Sequence, residues 1–200
     1  MLLLRYVVYF LWTELGSEMS AMKCSGCGNE GAIVLPVDGG DVESEWRCNR
    51  CEARYSAKEM ENICEECNDD LFATNSSSVQ AYEALLEKIS PKLASTHYIV
   101  LTVKKYLGDL YGFVKGYRYP ELPEEKLLAK IEYLREFVDT ISKADPGYPK
   151  WKGTTLYDLQ RAVLFRANSE FNAGTLSKVR LLDKFSTKRM IYMFWLSCQI

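Results

Sequence analysis

Histidine is nearly absent from this 200-residue chain, which has one, His97. A lone histidine beside Thr96, with no nucleophile motif near it, does not make a catalytic base; a capping or core role at a helix start is expected instead. The chain also lacks a P-loop, a glycine-rich dinucleotide turn and a nucleophile elbow, so the common nucleotide-dependent and serine-hydrolase chemistries have no motif here. Met1 to Trp12 reads MLLLRYVVYFLW, short of the ~20 apolar residues that span a bilayer. It has neither a clear basic start nor a small-residue cleavage site, so no secretory role follows. A buried strand or helix, or a fragment boundary, is expected there. A large charge of either sign is missing too, the net value being -2.

That small net charge hides a polarity. Residues 24–71 carry four basic against 12 acidic side chains, whereas residues 72–200 carry 19 basic against 13 acidic. The first part is acidic and the second mildly basic. Hydrophobic residues at 48% and charged residues at 26% are globular values, and a chain of this length can bury a core without cross-links.

What the chain has in unusual measure is cysteine. Of seven cysteines, six form three Cys-x-x-Cys pairs. Two residues between sulfurs let both converge on one tetrahedral ion, with backbone amides free to stabilise the thiolates. Cys24-Ser25-Gly26-Cys27 and Cys48-Asn49-Arg50-Cys51 are separated by 20 residues, the length a hairpin needs to return the second knuckle to the first. Ala32 to Leu35 is a short apolar run. Asp38-Gly39-Gly40-Asp41 is expected to turn through glycines at positive φ, and Trp46 leads into the second knuckle. Cys24, Cys27, Cys48 and Cys51 thus form a four-thiolate site for Zn2+. With no histidine or carboxylate at a knuckle there is no open position for water, so the ion is structural rather than catalytic. Thiols kept for metal imply a reducing compartment, cytoplasm or nucleus.

From Ser56 onward the pattern is helical. Ser56 with Glu59 forms a capping box. Val79, Tyr82, Leu86 and Ile89 make an apolar stripe stopped by Pro91, and Val100, Val103, Leu107 and Leu110 repeat it up to Gly112. Leu127, Ile131, Leu134, Val138 and Ile141 follow, closed by Asp145-Pro146-Gly147. Leu156, Leu159, Val163 and Phe171 mark a further helix, and Leu176 to Phe185 another. The fold class expected is a small zinc ribbon followed by an all-α, tetratricopeptide-like helical array, degenerate because no clean 34-residue repeat runs through it.

The third pair, Cys64-Glu65-Glu66-Cys67, falls inside the first helix on one face. It reads either as two small hydrophobes packed beside Met60, Ile63 and Leu71, or as half of a second metal site. The latter needs two more ligands, and only His97 and Cys198 remain. The acidic side chains of Asp38, Asp41, Glu43 and Glu45 read as a solvated face, one that disfavours phosphate contact and hence nucleic acid. Lys115, Arg118, Lys150, Lys152, Arg161 and Arg166 are scattered, which fits loop and helix surface.

Several short runs resemble the SET-and-MYND (SMYD) protein-lysine methyltransferases. Thr13-Glu14-Leu15-Gly16-Ser17 before Ala21-Met22-Lys23-Cys24 resembles the segment after the family's post-SET cysteines. The match is nearest the arthropod-specific branch, where this segment leads into an added ribbon like Cys24–Cys27 with Glu45-Trp46-Arg47-Cys48-Asn49-Arg50-Cys51. His97-Tyr98-Ile99-Val100, Leu110-Tyr111-Gly112, Asp145-Pro146-Gly147 and Lys152-Gly153-Thr154-Thr155-Leu156-Tyr157-Asp158-Leu159 resemble its helical C-terminal domain. The resemblance covers about Thr13 to Lys184 and implies four segments. These are an atypical N-terminal stretch with a post-SET remnant (1–19), a four-cysteine zinc ribbon (20–55), a helical domain (56–189) and an atypical tail (190–200).

The departures from the family decide the expected activity. The SET domain's cofactor-binding glycine motif, its Asn-His pair and its late tyrosine are not in this sequence, nor is the MYND zinc module. Leu4 to Trp12 stands where the post-SET cysteines belong, and Met190 to Leu196 breaks the helical pattern. The resemblance therefore implies a truncated C-terminal region, inactive alone, with no catalytic residue and no cofactor-binding residue. S-adenosylmethionine would bind only a full-length relative. Partners expected are proteins or protein substrate tails, with neither nucleic acid nor membrane. The alternative is a stand-alone ribbon-and-helix interaction module.

Overall fold

The computed structural model describes residues 19–27, 31–144, 149–175 and 177. The apolar start, the post-SET remnant, Asp145-Pro146-Gly147, the helix expected over 176–185, Cys198 and the tail lie outside these residues. Among the described residues are a small four-stranded sheet and five helices. They fall into two compact units divided between Val103 and Lys104.

In the first unit, β1 (Met22–Lys23), β2 (Ile33–Pro36), β3 (Trp46–Cys48) and β4 (Arg54–Tyr55) form an antiparallel meander in chain order. Met22 faces Val34, Val34 faces Cys48, and Trp46 faces Tyr55. The β2–β3 connection turns at Asp38–Asp41 as expected, but by a different device. Neither Gly39 nor Gly40 has positive φ. The Asp38 carboxylate instead accepts the Gly40 amide at 2.9 Å, and the Asp41 carboxylate accepts that of Glu43 at 2.9 Å. Aspartate side chains here do what glycine dihedrals were expected to do. The outer edge of β1 is covered: Lys23 donates to the Lys92 carbonyl at 2.9 Å, and Ala94 to that of Ala21 at 3.1 Å. The segment after the second helix supplies this cover.

Helix α1 (Ala57–Ala73) starts at the expected capping box, Glu59 N–H to Ser56 Oγ at 3.2 Å and Ser56 N–H to Glu59 Oε2 at 2.8 Å. It buries Met60, Cys67 and Leu71. Helix α2 (Val79–Ile89) is capped by Ser78, whose hydroxyl accepts the Ala81 amide at 3.1 Å. Its buried face is Val79, Tyr82, Leu85 and Ile89. Leu85 thus takes the place expected of Leu86, which stays half-buried; the two are adjacent leucines, and only the angle of packing chooses between them. Helix α3 (Tyr98–Leu110) opens at His97, whose Nδ1 accepts the Ile99 amide at 3.2 Å.

In the second unit, Gly112 stops α3 at φ 92°. A Cβ there would come 2.7 Å from the Tyr119 ring, so only glycine fits this turn. Helices α4 (Glu124–Ala144) and α5 (Pro149–Asn172) pack against each other. Helix α4 buries Leu127, Ile131, Leu134 and Val138, four of the five residues of the expected stripe. Helix α5 departs from its stripe: Leu159 is buried, but Phe171 is exposed, and Thr155, Ala162 and Ala167 fill the face instead. A face of small residues allows close helix approach and is missed by a search for large apolar side chains.

Lys130 of α4 belongs to no apolar stripe, yet it is fully buried. Its ammonium donates to the carbonyls of Gly108 and, at 2.8 Å, Tyr111, at the end of α3 where helical carbonyls lack partners within the helix. Burial pulls its pKa down to about 8. Lys130→Met should destabilise the chain by about 3 kcal/mol, since two buried carbonyls lose a charged donor; urea unfolding at pH 7 measures it.

Candidate metal centre

Each thiol comes from a turn fixed by backbone bonding. Cys24 follows β1, and its amide donates to the Ala32 carbonyl at 3.3 Å, which sets the first knuckle against β2. Cys48 ends β3 and donates to Ala53 at 2.9 Å across the second knuckle. Asn49 locks that knuckle to β2 in both directions: its amide donates to the Ile33 carbonyl at 3.0 Å, and its Oδ1 accepts the Ile33 amide at 3.1 Å. The spacing of the cysteines carries no hint of this role for Asn49. Glu52, next to Cys51, sits at φ 58°, the left-handed conformation that closes the loop.

The four sulfurs of Cys24, Cys27, Cys48 and Cys51 all lie within 4.8 Å of one another. Cys24 Sγ is 3.6 Å from Cys51 Sγ, and Cys27 Sγ is 3.9 Å from Cys48 Sγ. A tetrahedron with Zn–S bonds of ~2.3 Å has edges of about 3.8 Å. The donor set and its dimensions therefore fit a metal ion such as zinc, held between the two knuckles. None of the four is in a disulfide.

The thiols are not equivalent. Cys48 is buried, Cys24 and Cys27 are half-buried, and Cys51 is exposed. In each knuckle the amide two residues on points at the first sulfur, Gly26 N–H to Cys24 and Arg50 N–H to Cys48, both at 3.3 Å. Cys24 has a further neighbour in the Tyr55 hydroxyl at 3.2 Å, itself 3.3 Å from Ser25 Oγ. The Tyr55 bond first, helped by the Gly26 amide and opposed by partial burial, draws the Cys24 thiol down to about 6. Cys51 rises to about 12: the Ala53 amide favours its thiolate, but lost hydration and the sister thiols Cys27, Cys48 and Cys24 outweigh it. Coordination to a metal would make all four thiolates.

The third pair joins no such group. Among the described residues, the set of Cys24, Cys27, Cys48 and Cys51 is the one that could hold a metal. Cys67 is buried on α1, and Cys64 Sγ lies 3.4 Å from the Tyr98 hydroxyl, which also accepts Asn68 Nδ2 at 2.6 Å. Burial pushes both thiols up, keeping them protonated like small core side chains. His97 is 1% exposed and stacks on Tyr98 at 4.7 Å. Its pKa falls to about 3 through burial, so it stays neutral. The acidic residues Asp38, Asp41, Glu43 and Glu45 are exposed, as expected, with Glu45 paired to Arg54 at 3.1 Å.

No protein-family model and no curated protein matches this chain. Among the described residues no helix is long and apolar enough to cross a membrane.

Proposed function

We propose that Cys24, Cys27, Cys48 and Cys51 hold one structural Zn2+, and that the chain is the zinc-braced, helical, protein-binding part of a SMYD-like methyltransferase rather than a catalyst. The convergence of four thiols in a closed set carries the first half of this reading. Bound there, the ion supplies cross-linking of two knuckles, not Lewis-acid chemistry. The second half rests on the resemblance of the runs from Thr13 to Lys184, together with the want of any SET motif in the sequence. In this reading the helices stack as tetratricopeptide-like hairpins, with short polar connections such as 74–78 supporting that arrangement. The partner is a protein or a protein tail, since the acidic ribbon repels phosphate. The compartment is reducing, cytoplasm or nucleus, as free thiols require.

Two measurements test this. Metal analysis of the purified chain should give one zinc per molecule; two would bring Cys64 and Cys67 in as ligands. Incubation with labelled S-adenosylmethionine and histone or bulk protein should transfer no label above background, and transfer would overturn the non-catalytic reading.

A stand-alone interaction module is the second reading, favoured by the exposed aromatic side chains of the second unit. Phe113 is 42% and Tyr157 53% exposed, with the Arg161 guanidinium 4.8 Å from the Phe113 ring centre. Aromatic and arginine side chains in this setting suit protein contact. A transcript continuing in frame upstream into a SET domain would decide for the methyltransferase affiliation.

A further inference from the structure

Once a metal is bound, all four sulfurs are thiolates, so access and hydrogen bonding decide which of them reacts. The structure distributes both unevenly. Cys48 is buried at 2% exposure and accepts the Arg50 amide. Cys24 is half-buried, accepts the Gly26 amide and is covered by the Tyr55 hydroxyl at 3.2 Å, itself backed by Ser25. Each of these donors withdraws charge from its sulfur and lowers its nucleophilicity. Cys27 is half-buried. Cys51 alone of the four is exposed. Cys24 Sγ lies 3.6 Å from its sulfur, a shorter separation than the 3.9 Å between Cys27 and Cys48.

We propose that Cys51 is the oxidation-sensitive ligand of the metal centre, at which a hydroperoxide releases the ion by way of a Cys24–Cys51 disulfide. The inference rests on the zinc reading above. In the first step the Cys51 thiolate attacks hydrogen peroxide: an S–O bond forms, the O–O bond breaks, and hydroxide leaves. The sulfenic acid so made no longer ligates well. In the second step the Cys24 thiolate attacks the Cys51 sulfur, the S–O bond breaks with loss of a second hydroxide, and the disulfide forms. Two sulfurs have then lost two electrons, the peroxide has gained them, and water or buffer protonates the two hydroxides. Cys27 and Cys48 alone leave a two-ligand site, from which Zn2+ departs. The site then acts as a peroxide-responsive release point, with reduction by a dithiol restoring the ligands.

The test uses the full zinc-loaded chain, its metal content measured first. Peroxide is added at one equivalent, released zinc is followed with a colorimetric chelator, and sulfenic acid is trapped with dimedone for peptide mapping over all seven cysteines. The first adduct is expected at Cys51, followed by a Cys24–Cys51 disulfide with one zinc released for each disulfide formed. The Cys51→His variant, which keeps four ligands but has no sulfur at this position, should release zinc at least about tenfold more slowly. A first adduct at any other cysteine, or release at the wild-type rate from a zinc-loaded Cys51→His chain, overturns the proposal and leaves the zinc assignment standing. A chain that carries no zinc before peroxide is added overturns both. Should the histidine variant fail to load, the mapping on the natural chain decides by itself.

Discussion

Cys48→Ser should reduce bound zinc from one equivalent to none and unfold the ribbon. The four strands are two, four, three and two residues long, too short to hold a sheet without further support. Cys48 is the most buried of the four thiols, and its knuckle is tied to β2 through Asn49. A serine oxygen is a poor ligand for zinc, and removing one thiolate forfeits much of a binding free energy on the order of 10 kcal/mol in small structural sites. Metal analysis together with limited proteolysis of residues 20–55 measures both effects. Zinc content unchanged in the variant would sink the four-ligand assignment. Strong chelation or acid should do to the natural chain what the substitution does. Protons compete with the metal for the thiolate ligands, so affinity falls as pH falls.

His97→Asn should flatten the loss of stability that the natural chain shows between about pH 6.5 and pH 4. Burial lowers the folded pKa of His97 from 6.5 to about 3. A neutral histidine in the fold that becomes protonated on unfolding favours the folded state fully above the unfolded pKa. That advantage shrinks as pH falls towards the folded value, by about 1.4 kcal/mol for each pH unit below the unfolded value. Asparagine keeps an acceptor for the Ile99 amide, now bonded to His97 Nδ1 at 3.2 Å, but does not titrate. Urea unfolding of both chains at about pH 7.5, 5.5 and 4.5 isolates the difference, because carboxylate protonation and loss of metal in acid are common to the two. Equal pH slopes would mean that His97 is not held neutral by its surroundings. At the highest of these pH values the variant should be the less stable of the two, as the smaller side chain leaves space in the core.

The parts of this protein legible in its sequence are those governed by local chemistry. Two sulfurs three residues apart can share an ion whatever surrounds them, and 20 residues suffice for a hairpin; the convergence of Cys24, Cys27, Cys48 and Cys51 followed from that. The capping box of Ser56 and Glu59 is a contact within one helical turn, and so was equally plain. Gly112 was legible as a helix stop because its reason, a positive φ, belongs to a single residue.

What the tertiary structure decided is everything that depends on which surface meets which. Leu85 is buried where Leu86 was expected, and α5 packs through Thr155, Ala162 and Ala167 in place of larger side chains. Such choices turn on interhelical angle and distance, which periodicity does not specify. A lysine normally marks a solvated face, but Lys130 is buried because two carbonyls at the end of α3 need a donor. Cover for the β1 edge came from residues 92–94, far along the chain, by backbone bonds that carry no side-chain signature. The inequality of the four thiols was decided in the same way. Spacing makes Cys24 and Cys51 look alike, yet Tyr55 covers one and water reaches the other. Ligand identity is a property of residue type and spacing; exposure and hydrogen bonding belong to the assembled fold, because they depend on neighbours that only folding brings near.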